Sequence, residues 1–352
     1  MSEVSVSVRR RVRLVLLCGL SVVVAGAARW PAWPAPATQG PVWPAPPDLP
    51  RIRYVTAIAG PADIGAGASW LQRAASAILG RRRQPRLMRP RAMAIDRSGR
   101  LLIADPEQRM VHVFDVGRRK YSYLEPAPFA SPVGLAVGED GSIYVTDSER
   151  RRVFVYDASG TRRATLGLAK GEAIFRRPTG IAVGPDGRLH IVDTAACTIT
   201  TMTPDGRVVG VIGRRGSGEG EFNYPTDIAV GRGGRSWVVD SMNARVQAFD
   251  AAGNFLGQFG RRGNGTGDID KPKGITLDSD GHVYVADALH DVVQIFDEEG
   301  RLLLVVGSSG GGPGQFSLPS SVYIDSANRL YVADALNGRV QVFQYVSQPD
   351  AH

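Results

Sequence analysis

The chain has 352 residues, with 42 Lys/Arg against 34 Asp/Glu, 22% charged residues and 42 glycines. This composition excludes a disordered or collagen-like chain and leaves a globular protein long enough to bury a large core. The formal net charge of +8 permits anionic partners without demanding them.

The N-terminus reads as an export signal. Arg9, Arg10, Arg11 and Arg13 form a basic region, Leu14 to Ala25 is an apolar run of 12 residues, and Ala25-Gly26-Ala27 offers small residues for a signal peptidase. The run is shorter than the about 20 apolar residues that span a bilayer. Residues 1–28 are therefore expected to be a signal peptide, with the mature chain periplasmic, held in the cell envelope or secreted. An uncleaved anchor from Val12 to Ala28 is the second reading. Lipid attachment at Cys18 is disfavoured by bulky Leu17 and by the short apolar stretch before it. Cleavage removes four arginines and Glu3, lowering the formal charge from +8 to +5, and leaves Cys197 with no cysteine to pair with.

Residues 29–50 form a Trp/Pro/Ala tract, WPAWPAPATQGPVWPAPPDLP from Trp30 onward. Prolines at this density favour extended polyproline II and give up backbone donors, so the tract is expected to be a stiff spacer. Docking of Trp30, Trp33 or Trp43 on a partner is the alternative.

Six segments further along align without gaps: PRAMAIDRSGRLLIAD, PVGLAVGEDGSIYVTD, PTGIAVGPDGRLHIVD, PTDIAVGRGGRSWVVD, PKGITLDSDGHVYVAD and PSSVYIDSANRLYVAD. They begin at Pro90, Pro132, Pro178, Pro225, Pro272 and Pro319, at spacings of 42, 46, 47, 47 and 47 residues. Periods of about 40 to 50 residues with this strand content mean propeller blades, one per repeat. Each repeat predicts four strands: a short apolar first strand, a Gly turn, a second strand ending at aspartate, an alternating third strand such as Arg245 to Phe249, and a fourth after another Gly turn.

DSMNARVQAFD and DALNGRVQVF, read with the P-x-G-I-A-V start, resemble the NHL repeat, and the resemblance runs from Arg51 to the C-terminus. It implies an all-β, six-bladed propeller with four-stranded blades over residues 51–352. PAPPDLPRIRYV also resembles the start of a group of bacterial envelope NHL proteins. Blades 1 to 3 depart from the N-x-R part of the motif: Gln108, Arg150 and Ala196 stand for Asn243, and Met110, Arg152 and Thr198 for Arg245. Blade 5 substitutes His290 and Val292.

The last repeat supplies three strands before the chain ends. Residues 51–60, RIRYVTAIAG, have the alternation of a fourth strand and are expected to complete blade 6 and close the ring, which also pairs otherwise open edges. An insertion over 61–89 separates this strand from blade 1. Within it Trp70, Leu71, Ala74, Ala75 and Ile78 fall on one helical face, capped by Ser69 and ended by Gly80. The bland reading is a short helix lying on the propeller. The sharper one is a helix over 69–83 that docks on a membrane surface or partner through Arg81, Arg82 and Arg83.

The six repeated aspartates (Asp105, Asp147, Asp193, Asp240, Asp287 and Asp334) are expected to be structural, accepting backbone N–H bonds of the following turn. Of the five histidines, His112 and His190 occupy strand positions, His282 lies in a turn at the other end of the blade, and His352 is terminal. His290 falls in a loop on the expected binding face. Amidating lyases on similar propellers need several histidines around zinc, a cluster this sequence does not assemble. Gly307-Ser308-Ser309-Gly310-Gly311 and Asp278-Ser279-Asp280-Gly281 mimic a nucleophile elbow and a calcium loop, but both lack the partner residues and read as turns.

Residues that vary between blades carry the functional reading. The position after each repeat's proline holds Arg91, Val133, Thr179, Thr226, Lys273 and Ser320, which should ring the channel mouth. Asp227 stands where Gly134, Gly180 and Gly274 stand in other blades. Asp227, Arg91 and Lys273 are candidate residues of a polar floor, or alternatively a structural ion pair. Arg214, Arg215, Arg261, Arg262 and His290 are expected to border it, with scattered solvated charge as the other reading.

The sequence thus points to an exported, monomeric binding scaffold whose loop face holds a protein, peptide or envelope polymer, with no cofactor, metal or nucleic acid. Membrane contact is open through the N-terminal segment or the helix. The alternative is a lyase- or lactonase-type propeller enzyme with a metal at the channel mouth.

Overall fold

A computed structural model describes residues 40–66, 85–124 and 129–346. The signal segment, most of the Pro/Trp tract and the helix expected over 69–80 lie outside the described residues.

The architecture is an all-β propeller of six blade sheets, five of them meanders of four consecutive antiparallel strands. Blade 4 shows the pattern: Pro225–Val230, Ser236–Asp240, Arg245–Phe249 and Phe255–Phe259 pair in that order. First strands touch those of the next blade all the way round, including Pro319–Ile324 of blade 6 against Ala92–Ile95 of blade 1. Blade 6 runs Pro319–Ile324, Arg329–Asp334, Arg339–Tyr345, and its next strand outward is Ile52–Ile58, paired from Ile52 opposite Tyr345 to Ile58 opposite Val340 with a register shift between Tyr54 and Thr56. Val42–Trp43 adds a fifth strand outside that one. Trp43 packs edge-on against Phe343 at 5.6 Å, so the folded unit extends upstream of Arg51.

Burial follows from the stacking of sheets around an axis. Second strands are buried on both faces, as in Val283–Asp287, and therefore read as near-continuous apolar runs. Fourth strands at the rim bury alternate residues, as in Leu302–Val306. Six buried clusters fill the six junctions between neighbouring blades. At the 5–6 junction Phe343 meets Tyr54 and Phe316 edge-on at 5.8 and 5.9 Å. Because each cluster draws on two blades, no blade buries its own core, and stability is shared around the ring.

First strands lack hydrogen-bonded neighbours on the channel side, and hydroxyls bridge the gap between blades. Thr194 Oγ1 donates to the carbonyl of Pro225 at 2.6 Å, Thr226 Oγ1 to that of Lys273 at 2.8 Å, and Ser320 Oγ to that of Pro90 at 2.7 Å. These bonds cross the 3–4, 4–5 and 6–1 junctions and fix the channel wall. Among the described residues no helix is long and apolar enough to cross a membrane.

Candidate functional site

The repeated aspartates are all 2% exposed or less. A carboxylate so buried must be hydrogen-bonded. Asp147 accepts the N–H groups of Ala130 and Ser131 at 2.7 and 3.1 Å, Asp193 that of Arg177 at 3.0 Å, and Asp240 that of Asn223 at 2.7 Å. Each aspartate thus ties the loop entering its blade to the end of the second strand. The bond to the following turn also forms, from the N–H of Arg150 to Asp147 at 2.9 Å, but it is the second anchor.

The N-x-R-V-Q motif completes this staple. Asn243 Nδ2, Arg245 Nε and Gln247 Nε2 all donate to Asp240 Oδ2, at 2.8, 2.8 and 3.3 Å. Arg245 also donates to the carbonyls of Gly218 and Glu221, clamping the incoming glycine-rich loop. Asn337, Arg339 and Gln341 repeat the arrangement on Asp334. In blade 5 His290 takes the asparagine's place, with Nδ1 2.7 Å from Asp287 Oδ2 and Nε2 3.1 Å from Asn264 Oδ1. In blade 1 His112 takes the glutamine's place, wholly buried, with Nε2 3.8 Å from Asp105. Burial outweighs the attraction of Asp105 and lowers the His112 pKa to about 4, so the ring is neutral near pH 7.

The first strands enclose a channel cavity of about 250 Å³ that opens into a mouth of about 550 Å³. Arg91, Asp227 and Lys273 line it together. Asp227 Oδ1 accepts its neighbour's N–H, from Ile228 at 3.0 Å, and Oδ2 accepts that of Ile275 in blade 5 at 3.1 Å. Glycine occupies the equivalent position in three other blades because the next blade comes close. A Cβ on Gly180 would lie 2.5 Å from the Asp227 Cα, and one on Gly274 2.5 Å from the Ser321 Cα. Burial pushes the Asp227 carboxyl up to about 7, against the pull of the two N–H groups and of Arg91. Lys273 falls to about 8, first through burial and then through the nearby charges of Arg91, Lys271 and Arg177. Arg91 is lowered for the same first reason, although Asp227 partly offsets it.

The expected border is placed elsewhere. Arg214, Arg215, Arg261, Arg262 and His290 do not line the mouth. Arg214 pairs with Glu221 at 2.8 Å, Arg261 with Asp268 at 2.8 Å and Arg262 with Asp270 at 3.1 Å. Arg215 is exposed on the loop of Arg214, its backbone bridged to Phe222. His290 serves the staple of blade 5. The cations that do line the mouth beside Arg91 and Lys273 are Arg89, Arg177 and Lys271. They hold the position before each repeat's proline, so both residues flanking that proline face the opening. The Arg177 guanidinium donates to the Tyr224 hydroxyl at 2.8 Å. Among the described residues Glu107 is the one acid in the lining of the mouth, and Asp227 lies deeper in the channel.

The repeat model described as "NHL repeat" matches residues 129–156, and one described as "6-bladed beta-propeller" matches residues 274–348. The chain is an NHL-repeat β-propeller. No curated protein matches it significantly. Among solved structures this NHL propeller is similar to a gluconolactonase from Xanthomonas campestris, at 19% identity and TM-score 0.59, covering 90% of this chain and 99% of that one. It is also similar to a virginiamycin B lyase from Staphylococcus aureus, at 15% identity and TM-score 0.55, covering 74% and 96%. An auxiliary nutrient binding protein from Bacteroides ovatus matches at 15% identity and TM-score 0.58, covering 74% and 70%. At these identities the likeness is one of fold. Among the described residues of the NHL propeller, one acid/histidine group is close enough to share a cation: Asp278, Asp280 and His282. It sits in the first turn of blade 5, at the opposite end of the channel. There Asp278 Oδ1 already accepts the N–H groups of Asp280 and His282, and Oδ2 meets the His282 ring at 2.8 Å.

Proposed function

We propose that this chain is an exported binding module that captures an anionic protein, peptide or envelope polymer on the loop face around its channel mouth. Propellers of this shape include lyases, a lactonase and nutrient-binding proteins, so the fold decides nothing and the lining of the mouth must. The observation that carries the reading is the convergence of Arg89, Arg91, Arg177, Lys271 and Lys273 on one concave opening with Glu107 as its acid. Beside it, the position two residues after the repeated aspartate holds Met242, Leu289 and Leu336 in three consecutive blades, each about half exposed. Exposed apolar side chains beside an open polar cup are the composition of a docking face.

A metal-dependent lyase or lactonase would need a ligand set at the mouth. Among the described residues its lining contains no histidine or cysteine. Export is supported by the basic region and short apolar run at the N-terminus.

The test is capture from native envelope fractions by the mature chain and by the variant R89Q/R91Q/R177Q/K271Q/K273Q. Captured species identified by mass spectrometry should disappear with the variant and persist with R214Q/R261Q/R262Q. Capture that survives the first variant would place the binding face elsewhere.

A further inference from the structure

The cations of the mouth are not scattered around it. Blade 1 contributes Arg89 and Arg91, blade 3 Arg177, and blade 5 Lys271 and Lys273. At the same two positions blades 2, 4 and 6 carry Ser131 and Val133, Tyr224 and Thr226, and Leu318 and Ser320. Positive charge therefore alternates with neutral side chains around a six-fold ring, giving three positive poles about one axis. We propose that the channel mouth binds a ligand carrying two or more oxyanion groups, carboxylates or phosphates, that reach the poles of blades 1, 3 and 5 together.

This inference rests on the binding reading and specifies what enters the cup. Three observations carry it. First, none of the five cations has an acid within ion-pair distance among the described residues, whereas Arg214, Arg261 and Arg262 on the surrounding loops each have one. Among the described residues the loop arginines are ion-paired, whereas the cavity cations have no acid at that distance. Second, the arrangement opposes itself. Beside burial, Arg177 and Arg89 disfavour the charged form of Arg91, and Arg91, Lys271 and Arg177 that of Lys273, and an anion seated between them would relieve that repulsion. Third, Asp227 beneath them supplies only part of the missing charge. Its two oxygens are engaged by the N–H groups of Ile228 and Ile275, and its carboxyl is held partly protonated near pH 7. Guanidinium forks on two of the three poles suit planar or tetrahedral oxyanions, which they bind through paired N–H bonds. A single monovalent anion on the axis would satisfy one pole and leave two uncompensated.

The pH dependence follows from the groups facing the cup: Arg89, Arg91, Glu107, Arg177, Tyr224, Asp227, Lys271 and Lys273. Lys273 loses its proton as pH rises through about 8, and Asp227 gains its negative charge around 7. Both changes lower the positive charge of the site, so affinity should fall from pH 6 towards pH 9, with a proton taken up on binding near pH 8.

Isothermal titration of the mature chain with citrate and, separately, with inorganic pyrophosphate at low ionic strength tests the inference. At least one probe should bind once per chain. R91Q/K273Q should weaken it roughly ten- to a hundredfold, the loss expected when charge-assisted contacts are removed. The matched variant R97Q/R232Q, which removes two exposed charges at the other end of the channel, should leave binding unchanged. Should R91Q/K273Q melt below the native chain, K271Q alone, nearer the rim, gives the same readout with a smaller loss. A preference for citrate identifies carboxylates and one for pyrophosphate identifies phosphates; either supports the site. Absence of binding by both probes, or equal weakening by both variants, overturns it. If both probes fail while partner capture still depends on the five cations, this inference falls alone. If capture is also indifferent to them, the binding reading falls with it.

Discussion

Two rings of side chains stand close together at the mouth end of this propeller and differ in every physical respect. One is the ring of six aspartates that end the second strands. It is the same residue in each blade, buried and saturated with hydrogen bonds. The other is formed by the residues flanking each repeat's proline; it varies from blade to blade, is open to the channel, and includes five cations with no acid within ion-pair distance among the described residues. A residue repeated in every blade serves the blade, because each blade poses the same backbone problem. Residues that break the repeat, at positions the fold leaves open to the channel, are free to serve a ligand.

The largest effect expected from breaking this contrast lies outside both rings. Deleting residues 40–58 removes the outer strands of blade 6 together with Trp43, Val55 and Ile58, uncovering Phe343 and opening the edge of Arg339–Tyr345. The cooperative thermal transition should be lost, as read by circular dichroism, because junction cores are shared by neighbouring blades.

Within the staple ring, R245M should cost about 3–5 kcal/mol in denaturant unfolding, since it leaves Asp240 buried without its guanidinium partner. Blade 1 has Met110 at that position and holds Asp105 with the N–H of Met88 and with Gln108. Placing arginine there by M110R should therefore not give an equal gain. A gain as large as the loss in blade 4 would show that Met88 and Gln108 do not stand in for the arginine.

His112 sharpens the comparison at smaller scale. Its folded-state pKa of about 4 lies below the ordinary histidine value of about 6.5, so the unfolded chain binds the extra proton first. The stability held above pH 6.5 is lost as pH falls towards 4. H112Q restores the residue found at Gln247, Gln294 and Gln341 and should flatten the fall in melting temperature over that window.

The number of blades and the bounds of their strands were legible in the sequence because proline and aspartate mark the same register six times. The placement of Arg91, Asp227 and Lys273 along the channel was legible as well, since each departs from the repeat beside a channel strand. The rim arginines misled because their partners are set by loop geometry. Yet the clue was present: Glu221 follows Arg214, and Asp268 follows Arg261, at the same spacing of seven residues. An acid that recurs with its arginine in two blades belongs to the loop. Arg89 and Lys271 were not legible because they precede the proline, outside the strand whose register the repeat marks, although they turn to the same opening. Lone substitutions such as His290 looked functional until the staple that they join was visible.

The contrast between the two rings is tested most directly by measuring melting temperature and partner capture on one preparation of R89Q/R91Q/R177Q/K271Q/K273Q. Among the described residues none of these side chains has an acid within ion-pair distance, and Asp227 only partly offsets the burial of Arg91, so the account predicts an unchanged or raised melting temperature and loss of capture. A lowered melting temperature with capture intact would contradict it, making the mouth cations part of the scaffold.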